Sequence, residues 1–164
     1  MRKQFLSVLL LVLGLIGCSA INARVVTTPN RAAMLQGNLP ADPMQWQVIT
    51  SEIDPRQSTM STVFGNDVAV EYARTHDDHN YPTGSVLSVV TWNQQEDARW
   101  FGAKIPDAPR SVEFVRVSKG SSGQLLYSYQ AFAGTPLTAA HNEENSKVQG
   151  RTALILEERA ALFP

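Results

Sequence analysis

Cysteine is nearly absent: the 164 residues contain one, Cys18. A single thiol excludes an intrachain disulfide framework, a cysteine-rich zinc site and an iron–sulfur cluster. It also excludes covalent c-type haem attachment, which needs a Cys-x-x-Cys-His run. A dominant charge of one sign is missing too. Lys and Arg number 14 against 15 Asp and Glu, so the basic excess of a nucleic-acid binder is absent. With 43% hydrophobic and 18% charged residues, the chain has enough apolar material to fold, and its length suits one domain. No Gly-x-Ser-x-Gly nucleophile elbow and no glycine-rich phosphate loop occur.

What is present begins at the N-terminus. Arg2 and Lys3 precede an apolar run over residues 5–16. That run falls short of the roughly 20 residues a spanning helix needs, and it fits the apolar region of a secretory signal peptide. It ends in Leu15-Ile16-Gly17-Cys18, which resembles the lipobox of bacterial lipoproteins. The resemblance implies cleavage after residue 17 and lipidation of Cys18. Each buried methylene contributes about 0.8 kcal/mol, so several acyl chains on one residue anchor firmly. Ser19 and Ala20 follow the cysteine, with no Asp. By lipoprotein sorting rules this implies the cell envelope, at the outer membrane facing the periplasm. The expected organisation is a signal peptide (1–17), a lipidated N-terminus and tether (18–44) and a folded domain (45–164). Losing Arg2 and Lys3 leaves the mature chain mildly acidic.

Along the domain, residues 45–53 and 59–64 read as strands, the second with Met60, Thr62 and Phe64 on one face. Gly65-Asn66-Asp67 offers a helix cap before residues 68–75, where Val68 aligns with Tyr72 and Ala69 with Ala73. Tyr81-Pro82-Thr83-Gly84 is a turn. Residues 85–92 form the clearest strand: Val86, Val90 and Trp92 share one face and Leu87 and Val89 the other, so the strand is central. Residues 111–118 and 124–132 read as a hairpin across Lys119-Gly120-Ser121-Ser122-Gly123. Residues 137–147 suit a helix or a wrapped loop, and 152–163 a helix with Ala153, Leu156, Ala160 and Phe163 aligned. The sum is an α+β domain: a mainly antiparallel β-sheet of about five strands with flanking short helices.

Few constellations carry chemistry. His76-Asp77-Asp78-His79 holds metal-ligand types, but no third histidine is near in sequence, and the run reads as a solvated loop rather than a metal site. Ser121 and Ser122 suit their turn. Glu96-Asp97 and Glu143-Glu144 are adjacent acids on polar stretches. Trp46, Trp92 and Trp100 read as core anchors. No catalytic residue is assigned.

Five stretches together resemble the cytochrome P460 domain family. They are Ser61-Thr62-Val63-Phe64-Gly65-Asn66-Asp67, Tyr81-Pro82-Thr83-Gly84-Ser85-Val86, Val90-Thr91-Trp92, and residues 96–106 with 111–115. The resemblance implies a mainly antiparallel domain, often a homodimer. In haem-bearing members it packs against a c-type haem that oxidises hydroxylamine or binds small gases. Their Cys-x-x-Cys-His corresponds here to Leu137-Thr138-Ala139-Ala140-His141: Leu137 and Ala140 replace the cysteines, and His141 stands at the axial position. The haem-edge lysine of the hydroxylamine oxidisers has no counterpart between residues 67 and 84, since the lysines are Lys3, Lys104, Lys119 and Lys147. Two readings stay open. One is a non-enzymatic, lipid-anchored module without covalent haem that binds a small ligand or an envelope protein. The other is a redox or gas-binding protein holding haem non-covalently through His141.

Overall fold

The computed structural model describes residues 29–140 and 145–161. Cys18 and His141, the two site residues expected from the sequence, lie outside them, as does Phe163. The described chain forms one antiparallel meander whose spatial order is its sequence order. Its strands are β1 (Gln47–Asp54), β2 (Thr59–Gly65), β3 (Val86–Glu96), β4 (Lys104–Lys119), β5 (Leu125–Ala133) and β6 (Thr138–Ala139). Helix α1 (Asp67–Thr75) joins β2 to β3, and α2 (Asn145–Leu156) follows β6. The class is α+β as expected, with six strands rather than five. The sixth has two residues, too few to show a period-two pattern.

Several boundaries differ from the sequence reading: β3 runs on to Glu96 rather than ending at 92, a two-residue strand lies at Thr138–Ala139 where a helix or wrapped loop was expected, and two others shift further. β4 begins at Lys104, not near 111, because the proline-rich stretch pairs with β3: Pro106 opposes Gln94 and Pro109 opposes Trp92. Register shifts flank Trp92, which suits prolines that have no N–H for the ladder. The last helix spans Asn145–Leu156 rather than 152–163. Beyond its end the chain is drawn back to the sheet, and Ala161 N–H donates to the Ile49 carbonyl at 2.8 Å.

Alternation on β3 builds two cores. Leu87 and Val89 join Val63, Val115 and Val117 beneath Ala69 and Val70 of α1 and Ile155 and Leu156 of α2. On the opposite face Val90 and Trp92 join Phe64, Val112, Phe114, Phe132 and Leu137. There, Phe114 stands edge-on to Trp46 (6.2 Å, 83°) and to Phe132 (5.9 Å, 88°), the favoured aromatic geometry. The described part of the segment read as a tether lies against this second face. Ala33, Leu35, Leu39 and Ala41 pack on it, and Trp92 Nε1 donates to the Ala33 carbonyl at 2.9 Å. Gly37 makes that approach feasible: a Cβ there would sit 2.2 Å from the Leu137 carbonyl oxygen.

Asn66 caps α1 as the sequence predicts, and does more. Its Oδ1 accepts from the backbone N–H of Ala69 and of Val86, both at 3.1 Å, and its Nδ2 donates to the Gly84 carbonyl at 2.9 Å. One side chain thus fastens the helix start, the Tyr81–Gly84 turn and the beginning of β3.

Candidate functional site

The helix-covered face changes character along its strands. Near α1 it is aliphatic. Towards the other end, the same alternation presents Thr59 and Ser61 of β2, Thr91 of β3, and Ser111 and Glu113 of β4. α2 and the segment after it close over this half without filling it. A cleft of about 430 Å³ remains, within the usual range for small-ligand sites.

Glu113 forms the floor. The residue is buried, two positions from the inward Val115 on the same strand, and both oxygens of its carboxylate accept hydrogen bonds. Arg151 of α2 donates to it through both fork nitrogens, Nε to Oε1 at 2.8 Å and Nη2 to Oε2 at 2.7 Å. Tyr129 of β5 donates its hydroxyl to Oε1 at 2.5 Å. Bidentate geometry and charge assistance make this a strong pair. The hydrogen bond to Glu113 raises the Arg151 pKa against the opposing effect of burial. Beside it, Ser61 and Thr91 share a hydroxyl hydrogen bond at 2.9 Å.

The rim adds Glu52, Asp54, Arg110 and Glu158. Asp54 already accepts from the backbone N–H of Arg56 and Gln57, closing the β1–β2 turn. Burial raises the Glu158 carboxyl above its usual range, the Glu52 charge raises it further, and Arg151 pulls against both. Four carboxylates against two guanidinium groups give the cleft an acidic balance.

Sequence reading missed Glu113, Tyr129, Arg151 and Arg110. A signal existed for Glu113, an acid set between Val112 and Phe114 in an apolar strand. The partner that makes it tolerable is 38 residues away on α2. The residues that were singled out are placed elsewhere. The ring of His76 stacks on Tyr72 at 4.2 Å, and Tyr72 donates to Asp78. That hydrogen bond, aided by burial and the Asp78 charge, pushes the Tyr72 phenol up to about 12. His79 borders a separate apolar groove with Leu125, Tyr127 and Leu156. No metal-ligating cluster occurs among the described residues. Ser121 and Ser122 lie in the exposed β4–β5 turn. Of the three tryptophans, Trp92 is buried and Trp46 half-buried, as expected of anchors, whereas Trp100 is 70% exposed.

A family model for cytochrome P460 matches residues 40–149, two thirds of the chain. The chain belongs to the cytochrome P460 family. A search of curated proteins found no match. The cytochrome P460 family binds haem in general, so the cleft can be tested against that group. Thioether attachment is excluded, because the matched segment has no cysteine. A haem held without thioethers needs an axial ligand and broad apolar walls. Among the described residues no His, Met, Cys or Lys lines the cleft, and Tyr129 is committed to Glu113. The walls carry carboxylates and hydroxyls. The described residues lining this cleft of the cytochrome P460 domain therefore do not fit a haem.

Proposed function

We propose that this chain is an envelope lipoprotein, anchored through Cys18 to the outer membrane, whose cytochrome P460 domain has given up covalent haem and binds a small polar ligand in the periplasm. The observation that carries the reading is the Glu113–Arg151–Tyr129 cluster flooring an open cleft, in a chain with no cysteine in its family segment. A preformed cleft with a few convergent polar groups is the usual form of a small-molecule site. The acidic balance favours a ligand carrying an amine or another cation.

The second reading, non-covalent haem through His141, draws on one observation: Ala140 lines the cleft, and His141 follows it in the chain. One preparation separates the two. The full chain is expressed in the periplasm with haem supplied, and its absorption spectrum is recorded. A colourless, folded protein is expected. A Soret band that disappears in His141→Ala replaces the first reading with the second. Palmitate labelling that persists in Cys18→Ser overturns the anchor. Thermal-shift screening with small amines and carboxylates is expected to select amines, with the shift abolished in Glu52→Gln/Glu158→Gln.

A further inference from the structure

Trp100 and Phe101 are the two most exposed aromatic side chains among the described residues. Phe64, Trp92, Phe114 and Phe132 are buried, whereas Trp100 is 70% exposed and Phe101 is fully exposed. Single exposed hydrophobics are ordinary, but two adjacent large aromatics at the apex of a hairpin are not. The hairpin is the extension of β3 and β4 beyond the body of the sheet, and its tip is ordered. Asp97 N–H donates to the Ala103 carbonyl and Ala103 N–H to the Trp100 carbonyl, each at 3.0 Å. The Asp97 carboxylate accepts from Arg99 N–H at 2.8 Å. Gly102, at φ +77°, supplies the left-handed residue the turn needs. Arg99 is exposed beside the aromatic pair, and Lys104 pairs with Glu96 just below it. The tip therefore presents apolar rings with a cationic neighbour.

The N-terminal segment reaches the domain at this same hairpin. Asn30 Nδ2 donates to the Pro106 carbonyl at 2.6 Å, and Pro106 opposes Gln94 on β3. Lys104 opposes Glu96 two pairs further out, and the tip follows. Strand rise puts the apex on the order of 10–15 Å from the point where the chain arrives. Twelve residue steps separate Cys18 from Asn30, a reach of at most about 40 Å. A lipid on Cys18 and the Trp100–Phe101 tip can thus meet one bilayer without strain on the connecting chain.

We propose that the β3–β4 tip is a second membrane contact, with Trp100 and Phe101 entering the headgroup region of the phospholipid bilayer that holds Cys18. Aromatic rings are favoured at that depth, and a nearby arginine meets the phosphates. A second contact would fix the orientation of the domain, which attachment at one lipidated residue leaves free, and so set where the cleft faces. The inference rests on the lipoprotein reading for the anchor itself.

The test uses the full chain in vesicles of phosphatidylethanolamine and phosphatidylglycerol, with plain or brominated acyl chains, and reads tryptophan emission. Brominated lipid is expected to quench the wild type. Trp100→Ser is expected to lose most of the quenched fraction, since Trp92 is buried and Trp46 is half-buried. Phe101→Ser, which keeps the reporter, is expected to reduce quenching at least about twofold. Equal emission on plain and brominated vesicles overturns the tip contact, including the case where a second copy of the chain covers the tip. Undiminished quenching in Trp100→Ser overturns it as well. The mass of Cys18 is measured on the same sample. An unacylated cysteine overturns the anchor, whereas an acylated, unquenched protein overturns the tip alone.

Discussion

The two faces of the sheet are built by the same strands and finished differently. One face is sealed. Phe64, Val90, Trp92, Phe114 and Phe132 interlock there, and residues 33–46 lie across them. The other is sealed only near α1. Under α2 it turns polar, and its buried acid is neutralised by a guanidinium instead of being replaced by an apolar residue. A buried ion pair is weak evidence of a stability role, because well-packed apolar residues of similar volume serve as well or better. The contrast assigns the stability to the sealed face and the candidate site to the open one.

The largest expected effect lies on the sealed face. Trp92→Ala should cost about 4 kcal/mol, from the cavity left among Phe64, Phe114 and Phe132 and from the orphaned Ala33 carbonyl. Denaturant unfolding checks this, and a cost near 1 kcal/mol would contradict the assignment. Next comes the open face. Arg151→Ala should cost about 2–3 kcal/mol by stranding the Glu113 carboxylate, less than for a fully buried pair because Arg151 is partly exposed. The paired replacement Glu113→Leu/Arg151→Met should restore most of that stability while abolishing ligand binding. If the double variant is as unstable as the single one, the pair is structural and the contrast between faces fails.

A smaller effect should have the opposite sign. Ser88 Oγ is buried on the sealed face and has no hydrogen-bond partner among the described residues. Ser88→Ala should therefore stabilise by about 0.5–1 kcal/mol, seen as a higher urea midpoint with unchanged slope. The smallest effect concerns pH. The folded-state pKa of Glu158 is raised by burial and by Glu52, so its carboxyl favours folding while protonated. That contribution is complete below the unfolded-state value near 4.5 and is lost as pH rises through the raised folded value. Glu158→Gln should flatten the decline in stability just above pH 4.5, and an unchanged pH profile would show that Glu158 is solvated in the folded protein.

Much of the fold is legible locally. The two-faced alternation of β3 and the Asn66 cap are properties of short windows, governed by side-chain period and backbone capping. The β4 extension escapes such reading, because Pro106 and Pro109 look like breakers until the register irregularities of β3 accommodate them. The final helix escapes it for a related reason. Residues beyond Leu156 keep an apolar spacing, but a backbone hydrogen bond from Ala161 to Ile49 draws them out of helix.

The site was less legible than the fold. The sequence by itself determined the class, the family resemblance, the absence of thioether chemistry and the lipobox-like pattern of the N-terminus. Each of these depends on which residues are present and how closely they are spaced. Only the tertiary structure decided that residues 33–46 seal one face, that Arg151 reaches back to Glu113, and that the Trp100–Phe101 tip stands beside the N-terminal segment. Those arrangements join positions far apart in the chain. Their energies come from burial and from pairing across the sheet, which no local window of sequence contains.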